Sequence, residues 1–465
     1  MRLWIKIAMV AVMTLAILIP LAMVRGVISE RQRYRDEAVA SIAADIGRPQ
    51  VLAGPVLVVP YSETVIRQTQ DANGTVRQVG ERRERHWYFF PDQLKVSGEL
   101  TPDIRKRGLH AVRIYEWKGD MRASFDVRIP SDAPAGSERS IGRPFLSWGI
   151  SDVRGLRGTP LVEVAGKPVR AEQGSGVDVV MQEATTAADV AKAAVSGGTV
   201  TGPGLHVELP QASAGEALRF DTRLMLALAG TERFGVLPVG GQNDMQLKSP
   251  WPHPSFSGLL PKHDISAKGF DARWQIDALA TNAQQRWLDG NWQQDEDDVA
   301  RVSLLDPVNA YTQADRATKY GVLFVVLTFV GFFMFELIKQ VPVHPIQYAL
   351  VGLAIAIFFL LLVSLSEHIP FGWSYVAAAI ACIGLIGFYL SAVLHSRARG
   401  AGFAAMLATL YAALYGLLVL EDNALVVGAG LLFVILAAIM IATRKVDWYA
   451  LGGGRMSLPF GRSAD

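Results

Sequence analysis

The sequence holds one cysteine in 465 residues, Cys382, and it falls inside an apolar run. A disulfide framework is therefore excluded, and so is thiol chemistry in any polar part of the chain. Neither sign of charge dominates: 45 Lys and Arg stand against 43 Asp and Glu, a net charge of +2. That balance gives no general attraction to nucleic acid. Common reaction motifs are missing as well. There is no Gly-x-Ser-x-Gly elbow, no phosphate loop ending in Gly-Lys-Ser/Thr and no His-Glu-x-x-His zinc helix. His86, His110, His206, His253 and His263 are scattered without ligand-like spacing, and only His263-Asp264 sets an imidazole beside a carboxylate. Gly240-Gly241-Gln242-Asn243 reads as a turn, because no helix pattern follows it to cradle a phosphate. No internal repeat or low-complexity tract is present.

What the chain has is long apolar runs. Five follow one another closely: Gly321–Ile338, Ile346–Leu365, Phe371–Leu394, Phe403–Leu420 and Ala424–Ala442. A sixth, Ile7–Val24, stands alone near the N-terminus. A helix needs about 20 residues to cross a hydrocarbon core of about 30 Å. Lipid offers backbone groups no partners, so runs this dense must be helical. The expected fold class is a membrane protein, α+β, with six transmembrane helices (one N-terminal, five C-terminal) and a large β-rich, sandwich-like external domain. The expected division is an anchor over 1–28, the external domain over 29–318, a five-helix bundle over 319–443 and a tail over 444–465.

Charge orients the spans. Arg444, Lys445, Arg455 and Arg462 lie in the tail, and Arg397 and Arg399 lie between the fourth and fifth spans. Lys339 and His344 follow the second span. The alternate connections, Ser366-Glu367-His368 and Glu421-Asp422-Asn423, contain no Lys or Arg. Cytoplasmic loops carry the basic excess, so both termini are placed inside and the segment from Gln32 to Thr318 outside. The first span alone leaves this open, since Arg2 and Lys6 precede it and Arg25, Arg31, Arg33 and Arg35 follow it. A cleaved leader is the other reading of that run. Ala22-Met23-Val24 is a poor cleavage site, which favours an uncleaved anchor.

The external segment opens with a helix over Ser29–Ile46, ended by Gly47 and Pro49. From Pro49 to about Leu305 short β-like runs recur, among them Pro55–Tyr61, Val76–Arg82, His86–Phe90, Ala111–Trp117, Met121–Ile129 and Leu218–Ala229. Asn73-Gly74 is a hairpin-turn signal, and Val180–Ser196 reads as a short helix or an insertion. Trp287–Asp298 is polar, acidic and rich in Trp, and reads as a surface loop.

Candidate functional residues fall in four places. Three alternating prolines hold Ser249–Pro261 extended and present Trp251, His253 and Phe256, either as a packed connection or as a binding platform. Near the membrane Tyr311 suits the interface, and Arg316 and Lys319 could reach lipid phosphates. Glu336 is a carboxylate at membrane depth, one turn from Lys339, with which it could pair. Glu367 and His368 bound the third span, where water is available. No span carries an acid near its midplane, which argues against an ion-coupled transporter. Catalytic, metal and cofactor-binding residues are not called for, and no cofactor is expected.

Across these residues the chain resembles the CreD family of inner-membrane proteins, also called cell envelope integrity proteins. The matching stretches begin with Gly54-Pro55-x-Leu57-x-Val59-Pro60-Tyr61 and Trp251-Pro252-His253-Pro254-Ser255-Phe256. They continue through Asp306-Pro307-x-x-x-Tyr311, Arg316-Ala317-x-Lys319-Tyr320-Gly321, Phe335-Glu336, His344-Pro345-x-Gln347-Tyr348 and Ser364-Leu365-Ser366-Glu367-His368. The resemblance implies a Gram-negative inner-membrane protein with a periplasmic β-rich domain, produced under envelope stress and β-lactam exposure. The family has no established catalytic activity, so no active site is carried over. The expected role is non-enzymatic, in envelope integrity, with membrane lipids and a periplasmic protein or cell-wall component as expected partners and no nucleic acid. A membrane-embedded enzyme or carrier for an envelope lipid, using Glu367, His368, Arg316 and Lys319, is the alternative.

Overall fold

The computed structural model describes residues 3–70, 76–108, 110–132, 138–177, 202–290, 292, 297–304, 310–339, 343–419 and 424–444. The chain divides into two compact units, one of Met1–Arg35 with Val308–Asp465 and one of Asp36–Pro307. Helix α1 (Leu3–Ile46) is continuous over 44 residues and supplies side chains to both. The separate helix expected from Ser29 is thus the second half of one element. Gly26 alone does not stop a helix, and no proline follows until Pro49.

The β unit contains two sheets. Its first strands are β1 (Gln50–Gln70), β2 (Val76–Phe89), β3 (Gln93–Arg107), β4 (His110–Arg128), β5 (Glu138–Ile141) and β6 (Phe145–Ile150). Next come β7 (Leu156–Val164), β8 (Lys167–Val169), β9 (Glu172–Gln173), β10 (Gly204–Glu208), β11 (Ala217–Thr231) and β12 (Arg233–Leu237). Then follow β13 (Gln242–Ser249), β14 (Ser255–Gly258), β15 (Lys262–Ser266), β16 (Gly269–Asp277), the short helix α2 (Ala283–Leu288) and β17 (Ala300–Ser303). One sheet has the order β14-β17-β12-β1-β6-β10-β9, with β2 and β5 also paired to β1. The other runs β15-β16-β13-β3-β4-β11-β7-β8. Parallel pairs, β1 with β12 and β3 with β13, occur in both.

Several strands are far longer than the apolar runs implied. Ala111–Trp117 and Met121–Ile129 belong almost entirely to β4, which passes straight through Gly119. The glycine is there for packing. Trp117 stacks on Phe234 of the other sheet, ring centroids 4.8 Å apart, and a Cβ on Gly119 or Gly98 would meet its indole at 2.0 or 2.3 Å. Buried residues of both sheets, such as Leu57 and Trp148 with Leu94 and Met245, form one apolar cluster. Burying side chains of this size stabilises by about 1.5–3 kcal/mol each.

The Trp287–Asp298 segment is a surface loop only in part: among its described residues Leu288, Asp289 and Asp297 are exposed, whereas Trp287, Trp292 and Asp298 are buried. Trp287 and Trp292 stack on each other in the core, above Gly149. Asp298 is buried and accepts from the Thr281 hydroxyl and the Asn282 amide, both at 2.9 Å, just before α2. Polar composition concealed a segment whose two large rings point inward. The Asn73-Gly74 turn and the Val180–Ser196 insertion lie outside the described residues, although Gln70 pairs with Val76 as a hairpin requires.

The C-terminal end of α1 is capped by the β unit. Arg154 and Arg157 donate to the carbonyls of Ala44 and Ile46, at 3.2 and 3.1 Å. Cations there oppose the negative end of the helix dipole and fill orphan carbonyl acceptors. Asp152 holds Arg154 at 2.6 Å and accepts from the Arg48 amide at 3.1 Å. Burial opposes ionisation of this carboxyl, but the Arg154 guanidinium and the two amides outweigh it and keep its pKa below the usual carboxylate range.

The helical unit holds the first part of α1 with α3 (Ala310–Lys339), α4 (Pro345–Ser366), α5 (Phe371–Val393), α6 (Arg397–Val419) and α7 (Ala424–Thr443). Among the described residues five helices are long and apolar enough to cross a membrane: one N-terminal and four that follow the β unit. The sixth expected span falls on α7, where among the described residues a shorter apolar stretch, Gly428–Ala437, stands. Ile17, Leu21, Val24 and Ile28 recur at helical spacing on α1 and are buried in the core of this unit. Glycines allow the close approach: a Cβ on Gly352 would come within 2.5 Å of Ile17, and one on Gly321 within 3.1 Å of Leu21.

Candidate functional site

The polar side chains of the helical unit gather at helix ends. Tyr311 lies in the first turn of α3, and its hydroxyl donates to Glu367 Oε1 at 3.2 Å. The same oxygen lies 3.5 Å from Arg31 Nε of α1, and the Glu367 side chain is only 8% exposed. Glu367 is the C-cap of α4, where a carboxylate opposes the helix dipole. The Arg31 cation and the Tyr311 hydroxyl answer that repulsion and join three helices. His368 turns away from this group, with Nδ1 3.2 Å from the Ser364 carbonyl, and is exposed.

One turn along α3, Asp315 sits between two cations. Lys319 Nζ is 2.7 Å from one of its oxygens, and Arg25 Nε of α1 is 3.6 Å from the other. Arg316, half-buried between them in sequence, has contacts of its own. The expected Asp306-Pro307 motif lies outside the described residues.

Glu336 is buried near the other end of α3. It accepts from the Tyr348 hydroxyl of α4 at 2.9 Å and from the Val343 amide at 3.4 Å. The Lys339 side chain, its expected partner, lies outside the described residues. Tyr348 is itself fully buried, edge-on to Phe329 and 4.6 Å from the Phe332 ring. This carboxylate ties α3 to the start of α4, where His344 and Gln347 form a reciprocal capping box.

In the β unit the three proline-presented rings are engaged locally. Trp251 donates its indole N–H to the His253 carbonyl at 2.8 Å, and the Arg113 guanidinium lies 3.7 Å over its ring. Phe256, on β14, packs edge-on against Phe270 and Trp274, 5.6 and 6.0 Å away, and lies 5.2 Å from His263. His253 is exposed. A concavity of about 670 Å³ crosses the outer face of the eight-stranded sheet, lined in part by Lys118, Arg157, Met225 and Lys248. Its lysines pair within the sheet, Lys118 with Glu116 at 3.2 Å and Lys248 with Asp271 at 3.6 Å.

The structure therefore unites Tyr311 with Glu367 and holds Lys319 about two turns further along α3, and it groups neither Glu336, His368 nor the Trp251 group with them. Sequence reasoning missed Arg25, Arg31, Asp315 and Tyr348. The available signal was the density of arginine just after the first span: Arg25, Arg31, Arg33 and Arg35 within eleven positions. Such cations need local counter-charges, and Asp315 and Glu367 provide them.

A protein-family model described as inner membrane protein CreD matches residues 2–449. The inner membrane protein CreD of Escherichia coli (strain K12) is 34% identical over 447 residues, covering 95% of this chain and 93% of that protein. Among solved structures, an M1 zinc metallopeptidase from Deinococcus radiodurans is 13% identical with a TM-score of 0.21, over 40% of this chain and 38% of that one. The same organism's enzyme with a bound tripeptide substrate has a TM-score of 0.20 at 14% identity, again over 40% and 38%. Likeness at that level says nothing about activity here.

Proposed function

The chain belongs to the CreD family of inner membrane proteins, and from that premise we propose that it maintains envelope integrity under stress without catalysing a reaction. In this reading the β unit is periplasmic, both termini are cytoplasmic, and the β unit binds a periplasmic protein or a cell-wall component. The charge distribution supports the orientation. His395, Arg397 and Arg399 flank the α5–α6 connection, whereas Glu367 marks the opposite end of α4. The observation that carries the non-enzymatic reading is the bonding of Glu367. Its Oε1 is taken by Tyr311 and Arg31, and His368 faces a backbone carbonyl instead of the carboxylate. A carboxylate held this way joins helices and is poorly disposed to move protons for a substrate.

A reporter active only in the cytosol, fused near residue 150, tests the orientation; the proposal expects it to stay dark. Glu367→Gln, which still accepts from Tyr311, should leave tolerance to envelope-damaging agents such as β-lactams largely intact. Loss of tolerance with a normally folded variant would instead assign Glu367 a reactive role. Crosslinking in stressed cells, followed by identification of the captured species, tests for the expected partner.

A further inference from the structure

We propose that Arg25 and Lys319 form a binding site for the phosphate of an anionic membrane lipid. The two cations come from different helices, α1 and α3, and share one carboxylate. Asp315 offers one oxygen to Lys319 at 2.7 Å and the other to Arg25 at 3.6 Å, so the trio keeps one positive charge in excess. Arg25 comes nearest to Asp315 through Nε, at 3.6 Å. That distance is beyond a hydrogen bond, and among the described residues the guanidinium makes neither a side-chain hydrogen bond nor a second ion pair. The exposures are graded: Arg25 is 56% and Lys319 54% exposed, while Asp315 is 26% exposed behind them.

Position selects the ligand. Arg25 follows Val24, which is packed in the helical core, and Lys319 lies between buried Thr318 and the partly buried Tyr320. These cations thus stand where apolar spans give way to the headgroup layer, and long basic side chains direct their charge there. A guanidinium presents paired N–H donors that fit two phosphate oxygens, and an ammonium adds a point charge. One excess positive charge matches the single negative charge of a phosphodiester. The shared chemistry is a lipid-borne phosphate, either the diester of a bulk anionic phospholipid or the monoester of a polyprenyl phosphate. The inference rests on the spans lying in a bilayer and is independent of the proposed role in envelope integrity.

The test uses the full chain in nanodiscs of phosphatidylcholine alone, with phosphatidylglycerol added, or with a polyprenyl phosphate added. Native mass spectrometry counts the lipid retained on release. The wild type should retain at least one of the added anionic lipids several-fold over phosphatidylcholine, and the one enriched identifies the source. The double variant R25Q/K319Q should lose about tenfold of that preference. Asp315→Asn, which removes the competing carboxylate, should strengthen retention, and R25K should weaken it only partly. Equal retention of all three lipids by the wild type overturns the proposal. So does weaker retention in Asp315→Asn, which would make the trio a structural ion pair only. If the double variant does not elute as a folded species, the Asp315→Asn and R25K results decide.

Discussion

The two units solve the problem of polar atoms in opposite ways. In the β unit apolar side chains collect between the sheets and charges ladder the outer face, as in Arg223–Asp120–Arg122 with contacts of 2.8 Å. In the helical unit the exterior is as apolar as the interior: Phe388 is 78% and Phe433 73% exposed. The inside holds hydroxyls, each matched to an acceptor. Tyr348 donates to Glu336 at 2.9 Å, Tyr375 to the Tyr411 carbonyl at 2.7 Å, and Tyr411 to Cys382 Sγ at 3.0 Å. Water rewards hiding carbon, so the β unit sorts its residues by polarity. Lipid does not distinguish an inward leucine from an outward one, so helices there need close packing and hydrogen bonds to choose their neighbours.

Breaking the β core should give the largest effect. Trp117→Ala leaves a cavity between the sheets and should cost about 3–5 kcal/mol, read as a lower denaturant midpoint for the β-unit transition. Gly119→Val should be at least as harmful, since the new side chain enters the indole's space.

A charge on the exterior separates the two surroundings more directly. Ile380→Asp, on an exposed face of α5, should cost about 2.5–3.5 kcal/mol of insertion free energy. Leu279→Asp, at a residue 97% exposed in the β unit, should change stability by no more than about 0.5 kcal/mol. An insertion assay for the first and thermal unfolding for the second check the pair.

Removing one partner of a buried hydrogen bond should come next. Glu336→Ala strands the Tyr348 hydroxyl and the Val343 amide, at a cost of about 1–3 kcal/mol. Tyr348→Phe should cost less, because Glu336 keeps its amide donor. Unfolding of the chain in mixed micelles would rank the two.

The smallest contrast is with pH. Asp120, Asp152, Asp271 and Asp298 lie in the β unit. For each, burial raises the carboxyl pKa but nearby guanidiniums, amides or hydroxyls lower it further, to a net depressed value. The unfolded chain then binds more protons than the folded one near and below about pH 4. Their stabilisation is complete above that range and is lost as pH falls through the depressed values. Acid titration followed by intrinsic fluorescence should show the β unit weakening below about pH 4, with a shallower slope in Asp298→Asn and in Asp152→Asn.

The amino-acid sequence alone determined the helices of the membrane unit and the β character of the middle. Helical hydrogen bonds are local, and an apolar run of sufficient length has no other way to satisfy its backbone in lipid. Family membership was legible for a related reason, since short motifs such as His344-Pro345-x-Gln347-Tyr348 lie within single turns. Only the tertiary structure decided that α1 continues without a break into the β unit's capping arginines, that Gly98 and Gly119 clear space for Trp117, and that Trp287 and Trp292 face inward. It alone joined Tyr311 to Glu367, and Arg25 to Asp315 across 290 positions of chain. Each of these depends on which distant segment arrives beside a residue, and periodicity along the chain carries no record of that arrival.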